Sequence, residues 1–259
     1  MNAQRRRGPK ERGRKGRRIA RATSTVDAPP YITRKIPVYE LASEELLALV
    51  EENTEIVLEE IGIDFRDDPQ ALQLFRDAGA LVEEERVRFP RGMCREIIQR
   101  NAPNEFTQHA RNPDRSVQIG GDHAVFVPAY GPPFVRDLDS GRRYATIEDF
   151  RNFTKLTWMS PALHHSGGTL CEPVDVPVNK RHLDMIYSHL RWSDKPFMGS
   201  VTAPERAQDT VDMAEIVFGR SFVDSHCVIT SLINANSPMT FDATMLGAAR
   251  VYAENNQAT

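Results

Sequence analysis

The sequence predicts an α/β protein built on a parallel sheet, preceded by a smaller α+β region. From His123 onward, short β-branched runs alternate with amphipathic stretches. The runs are HAVFVPAYG, ALHHSGGT, KPFMGSVT and HCVITSLINANSP, and the last three are followed by RHLDMIYSHLRW, ERAQDTVDMAEIVFG and FDATMLGAARVYAEN. A strand then a helix, repeated, implies parallel neighbours, because parallel strands need a crossover and the crossover is usually a helix. Small polar residues collect where the runs end, at His164, His165, Ser166, Ser200, Thr202, Asn234, Asn236 and Ser237. In such folds ligands sit at the carboxyl ends of the strands. The expected division is a basic tail over residues 1–30, an α+β region over 31–122 and the βα units over 123–259.

Residues 1–30 are rich in Arg, Lys, Gly and Pro and nearly free of large apolar side chains. Such a segment cannot bury enough surface to offset the entropy of ordering, so disorder is expected. Ser43 is then a plausible N-cap, with Glu44 and Glu45 in the first turn and Leu46, Val50, Val57 and Ile61 at helical spacing until Gly62. A second helix is expected near residues 69–78, stopped by Gly79. Residues 80–89 read as a hairpin with Glu83, Glu84 and Glu85 at its tip, and Pro90 leads into a third helix over 92–101. FTQHAR, SVQIGG, AVFVPAYG and FVRDL read as strands, with Asp139-Ser140-Gly141 supplying a turn before RRYA. Thr146-x-x-Asp149 resembles a capping box that opens a helix through about Trp158. About four βα units follow, half of what a closed eight-stranded barrel needs.

Composition narrows the function classes. The 259 residues are 40% hydrophobic, enough for a sizeable core, and the net charge of −3 conceals an asymmetry. Ten basic side chains stand against Glu11 alone in the first 21 residues, which leaves a net of −12 for residues 22–259. The clustered guanidinium groups admit two readings, contact with phosphates or a solvated tail. The lack of interleaved aromatic residues favours the solvated tail, so nucleic acid is not the expected partner. No apolar run reaches the length of a membrane span, and the tail lacks the apolar stretch of a secretory signal, so a cytoplasmic location is expected. Cys94, Cys171 and Cys227 are odd in number and far apart, which argues against a disulfide framework or a metal knuckle.

His164-His165 at a strand end, followed by Ser166-Gly167-Gly168, is a candidate ligand or general base with a backbone nest behind it; a structural histidine is the alternative for either residue. Adjacent strand residues face opposite ways, so only one of the two can enter a central cavity. His182 and His189, seven apart on a predicted helix, share a face, where a core or surface role is favoured over a metal site. No HExxH-like spacing occurs, and no protein-bound metal is expected. Asn234, Asn236 and Ser237 end the most apolar run; they are candidates for a substrate carboxylate or carbonyl, or else caps of the following helix. Tyr130, in Ala129-Tyr130-Gly131-Pro132-Pro133, offers an aromatic face for a cationic ammonium, or is a plain turn residue. Gly120-Gly121 and Gly167-Gly168 lack phosphate-loop spacing, and there is no GxSxG elbow.

Five segments together resemble the trimethylamine methyltransferase family, including members that lack pyrrolysine: VRFP at 87–90, FTQHARNPDRSVQIGG at 106–121, PPFVRDLDSGRR at 132–143, CEPVDVPVNKRHLDMIYSHLRWSDKPF at 171–197 and INANSPMTFD at 233–242. The resemblance spans roughly residues 36–259. It implies a TIM-type (β/α)8 barrel and transfer of a methyl group from trimethylamine, or a quaternary amine such as glycine betaine, to a Co(I) corrinoid carried by a separate small protein. On that reading Tyr130 faces the ammonium, His165 and Ser237 line the substrate site, and Asn234 or Asn236 binds a betaine carboxylate. Family members are substantially longer, and the pyrrolysine position would lie beyond Thr259. The expectation is therefore the first half of a barrel, whose unpaired edges favour a homo-oligomer or a complementing C-terminal half. The alternative is a truncated, inactive relative that serves as a binding or interaction module.

Overall fold

The computed structural model describes residues 29–259. The expected disorder of the basic tail therefore lies, save for its last two residues, outside the described residues. The fold is mixed α/β. Helix α1 (Glu44–Ile56) starts where the Ser43 hydroxyl accepts from the Leu46 N–H, and a π turn (Val57–Ile61) carries it to Gly62. Its apolar stripe finds no cover within the described chain: no α1 residue is buried, and Leu46, Leu47, Leu49 and Val50 stay exposed. Glu51 to Arg95, and Glu52 and Glu59 to Arg91, hold it through ion pairs instead.

Strand β2 (Ile63–Arg66) leads to α2 (Pro69–Ala78), capped by the Asp68 carboxylate and closed by Gly79. Gly79 sits at φ 97°, a left-handed conformation that glycine takes without the Cβ penalty. Strands β3 (Leu81–Glu83) and β4 (Arg86–Arg88) form the expected hairpin, and β4 also pairs antiparallel with β2. Helix α3 (Met93–Asn101) precedes a second antiparallel layer of β5 (Glu105–Gln108), β6 (Val117–Gly120) and β7 (His123–Ala124). The two-residue strand β1 (Ile32–Thr33) lies on the far side of β7. Strands β8 (Phe134–Asp137) and β9 (Gly141–Tyr144) make a hairpin whose turn is held by the Asp137 carboxylate, which accepts from the Asp139 and Ser140 N–H groups.

The βα part follows in the expected order. Helix α4 (Ile147–Met159) opens with the Thr146–Asp149 capping box, then come α5 (Val178–Trp192), β10 (Phe197–Met198), α6 (Pro204–Phe218), α7 (Arg220–Ser225), β11 (Ile229–Thr230), β12 (Thr240–Asp242) and α8 (Ala243–Glu254). Hydrogen bonds define the parallel tracks between these helices. Residues 126–132 run beside 164–172 through His164 N–H to Phe126 O, Gly131 N–H to Thr169 O and Glu172 N–H to Pro132 O. Residues 166–167 run beside 196–198, β10 pairs parallel with β11, and Thr230 bridges Ala258 in parallel. Each track thus neighbours the next one in sequence.

Regular ladder along these tracks is only two residues long, shorter than the apolar runs imply. Pro128, Pro132, Pro133 and Pro196 lack the N–H a ladder needs, and Gly167, Gly168 and Gly199 interrupt it further. Among the described residues no sheet closes into a barrel. One expectation fails locally: FDATML does not start as helix, because residues 240–242 pair in parallel with β2 and Phe241 stacks on Phe65 at 5.6 Å. That contact joins the end of the βα part to the core of Phe65, Leu72, Val87 and Phe89. The main core lies between the tracks and α5, α6 and α8, around Ile186, Phe197, Val211, Ile229 and Tyr252. No helix of the described residues is long and apolar enough to cross a membrane.

Candidate functional site

The carboxyl ends of the tracks bring together Tyr130, Gly168, Thr169, Met198, Gly199 and Ser200. Tyr130 is 41% exposed and lies against Gly168, where an added Cβ would stand 2.6 Å from Tyr130 Cε2 and 3.0 Å from Met198 Cβ. The absence of a side chain at Gly168 therefore lets the aromatic ring settle on the strand end. Next to it, the buried Tyr252 donates its hydroxyl to the Ser200 carbonyl at 2.6 Å, which ties α8 to this edge; burial raises its pKa.

Two buried imidazoles fix the backbone beneath Tyr130. His165 Nδ1 accepts from the Gly167 N–H at 2.8 Å, so the proton sits on Nε2 and is donated to Gln108 Oε1 at 3.1 Å. Gln108 in turn donates to the Phe197 and Val228 carbonyls, so this one amide from β5 links three tracks. His189 Nε2 donates to the Gly168 carbonyl at 2.8 Å, which leaves Nδ1 to accept from the Ser166 hydroxyl at 2.7 Å. Burial lowers the His165 pKa to about 3 and the His189 pKa to about 4, so both are neutral with every ring nitrogen satisfied. Their geometry makes them clamps on the residues 165–168 turn.

As alternation requires, the adjacent histidines part company. His165 turns inward to an apolar groove of about 400 Å³, lined with Phe106, Val127, Met198, Thr230 and Ala258. His164 stacks on Phe126 and lines a polar cavity of about 430 Å³ with Asn112, Arg115, Trp158 and Lys195. Its Nδ1 accepts from the Phe126 N–H at 2.9 Å, and burial, then the Lys195 charge, lower its pKa. The Lys195 ammonium donates to the Thr157, Ser160 and Leu163 carbonyls at 2.6–2.9 Å, closing the C-terminus of α4; burial pulls its pKa down to about 8.

Asn234, Asn236 and Ser237 lie on an exposed turn beyond the strand end, apart from the buried network. The Asn236 amide donates to Asp242 Oδ2 at 2.9 Å, and Asp242 caps α8 by accepting from the Met245 N–H. Thr202 Oγ1 accepts from Arg206 Nη1 at 2.8 Å and lies 3.5 Å from the Ser200 hydroxyl. Gln108, Met198, Thr230 and Arg206 did not stand out in the sequence. The only sign of Gln108 was a polar residue inside a β-rich run, and that pattern also describes a solvent-facing position. The three thiols are unpaired, and burial raises the pKa of each, Cys171 to about 12. Among the described residues no group of three or more His, Cys, Asp or Glu side chains could hold a metal ion.

Comparison with known proteins bears on what this strand-end face does. The sequence profile described as trimethylamine methyltransferase (MTTB) matches residues 10–259. The chain belongs to this family. It is 46% identical over 224 residues to a glycine betaine methyltransferase of Desulfitobacterium hafniense (strain Y51), a match that takes in 86% of this chain and 46% of the relative. The chain therefore spans about half the length of the curated relative it matches. The matched MTTB segment contains Tyr130, Gln108, both clamp histidines and the Asn234–Ser237 turn.

Proposed function

We propose that this chain forms the first half of a TIM-type methyltransferase that moves a methyl group from a quaternary amine of the glycine betaine type. Its tracks, each beside its successor and separated by helices, are the arrangement that the first strands of a (β/α)8 barrel require. The 46% identity to a glycine betaine methyltransferase carries the reaction class. The acceptor in this reading is a Co(I) corrinoid on a separate small protein, whose electron pair takes the methyl group while the C–N pair returns to nitrogen.

A quaternary ammonium leaves as a neutral tertiary amine and needs no general acid, so the work left to the protein is orientation and exclusion of water. The side chains suit that task. Tyr130 sets its ring against Gly168, and an aromatic face attracts a desolvated ammonium by roughly 0.5–2 kcal/mol. His165 and His189 supply no acid, since both are neutral and spent on hydrogen bonds; they position the turn that carries Gly168.

The test is to incubate the chain, alone and with a polypeptide covering the second half of the family's length, with Co(I) cobalamin and a panel of methylamines. Turnover, followed through the cobalt absorbance, is expected with glycine betaine when both halves are present. Absence of turnover with every donor and both halves would refute the proposal.

A further inference from the structure

Between α5, α6 and the strand ends lies a pair of small cavities that the described network leaves unused. They measure about 20 and 60 Å³ and share Thr169, His182, Met185 and Ser200. The smaller has room for one water; the larger accepts a group of a few atoms. His182 Nδ1 is the one buried side-chain polar atom among the described residues without a hydrogen-bond partner. The His182 side chain is 7% exposed, and its Nε2 is held 2.7 Å from Asp209 Oδ2 on α6. Orphaned buried polar atoms are rare and call for a missing partner.

The rest of the larger cavity indicates the partner's charge. Arg206, half-buried in the first turn of α6, reaches only the Thr202 hydroxyl and has no carboxylate within ion-pair distance among the described residues. Arg181 also lines the cavity, but its charge is met by Glu172 and the Val176 carbonyl. An unpaired guanidinium and the Ser200, Thr202 and Thr169 hydroxyls favour a small oxyanion.

We propose that this cavity is a carboxylate subsite, with Arg206 and the hydroxyls holding the oxygens and a water in the smaller cavity bridging to His182 Nδ1: with Nε2–H turned to Asp209, Nδ1 accepts from the water, whose other hydrogen points to the carboxylate. The charged groups facing His182 are then Asp209 and Arg206 from α6, Arg181 from its own helix and Glu172 from the preceding segment. Seating the carboxylate of a betaine-type donor here rests on the methyl-transfer reading; the anion subsite itself does not.

Calorimetric titration of the full chain with acetate, inorganic phosphate, tetramethylammonium and glycine betaine tests it. Acetate and betaine are expected to bind. Arg206→Gln should weaken both by about tenfold or more, the scale of one charge-assisted hydrogen bond, and leave tetramethylammonium unchanged. His182→Gln keeps a donor for Asp209 but lacks the Nδ1 acceptor, and should weaken acetate binding in a chain that still unfolds cooperatively. Acetate affinity unaltered by Arg206→Gln overturns the subsite, and phosphate binding tighter than acetate overturns its assignment to a carboxylate. Arg206-dependent acetate binding in a protein that transfers no methyl group would uphold the subsite and remove the methyl-donor reading alone.

Discussion

Acid should unfold this chain through its clamp histidines before its carboxylates titrate. His165 and His189 have folded pKa values lowered to about 3 and about 4 by burial, against 6.5 for a free imidazole. Below pH 6.5 the unfolded chain takes up protons that the native chain refuses, so stability is full above that value and is lost as pH falls toward the folded pKa values. At pH 5 each histidine costs about 2 kcal/mol, and the pair about 4 kcal/mol, a large part of a typical domain's stability. Urea unfolding between pH 7.5 and 5 reads this as a fall in midpoint, with a slope of about two protons from the pair. His109 and His164, also lowered chiefly by burial, act in the same direction. The variants therefore decide the matter: His165→Gln or His189→Gln should each remove about one proton from the slope. A slope unchanged in both variants would refute the claim that these rings are buried and neutral.

Gly168→Ala should push Tyr130 off the strand end, because the new Cβ would stand 2.6 Å from Cε2; a half-exposed ring can swing away, so stability should change little. Affinity for tetramethylammonium should fall roughly two- to thirtyfold, the range of a cation–π contact, and unchanged affinity would count against Tyr130 as the ammonium face. Arg250→Met strands the Asp68 carboxylate, 2% exposed and bonded to Arg250 at 2.6 Å, and should cost roughly 3–5 kcal/mol in urea unfolding. Adding Asp68→Asn, which can still cap α2, should recover part of that loss. The apolar groove beside His165, lined with Phe106, Val127 and Met198, should drive binding of a polypeptide that covers the second half of the family's length, read by sedimentation; a chain indifferent to that polypeptide would contradict it.

Local chemistry was legible in the sequence, and long-range pairing was not. Ser43, Thr146 with Asp149, and Gly79 each announce a helix end through a bond made within three or four residues, and the structure has all of them. The hairpin over residues 80–89 and the order of βα units follow equally from period and turn residues. Strands β1 and β12 did not: each is short, and each exists because a partner far along the chain supplies the pairing, β7 for one and β2 for the other. The spacing of Leu46, Val50, Val57 and Ile61 marks a helix face in the sequence, but a period says only that a face is apolar, not which surface covers it. At the strand ends, the pattern marks His164-His165 and Asn234, Asn236 and Ser237, while Tyr130 enters through its turn and the resemblance; the structure sets His165 in the buried network and leaves residues 234–237 on an exposed turn. Neither signal shows that Gln108 reaches across three tracks, since its role depends on carbonyls from Phe197 and Val228.

The short ladders and the polar interior have one explanation. Tracks interrupted by Pro128, Pro132 and Pro196 and by paired glycines cannot align themselves through backbone bonds alone. Side chains take over that alignment. Gln108 bridges to Phe197 and Val228, Gln257 accepts from the Val228 and Ile229 N–H groups, and His189 holds Ser166 and the Gly168 carbonyl. Each of these groups is buried and fully paired, which makes the strand ends rigid without a wide sheet. The same interruptions free the surface above: glycine at 168 admits an aromatic ring, and the chain turning at Thr202 leaves the start of α6 uncapped. A fixed floor with open, uncapped positions above it suits binding by placement, the task the proposed methyl transfer leaves to the protein.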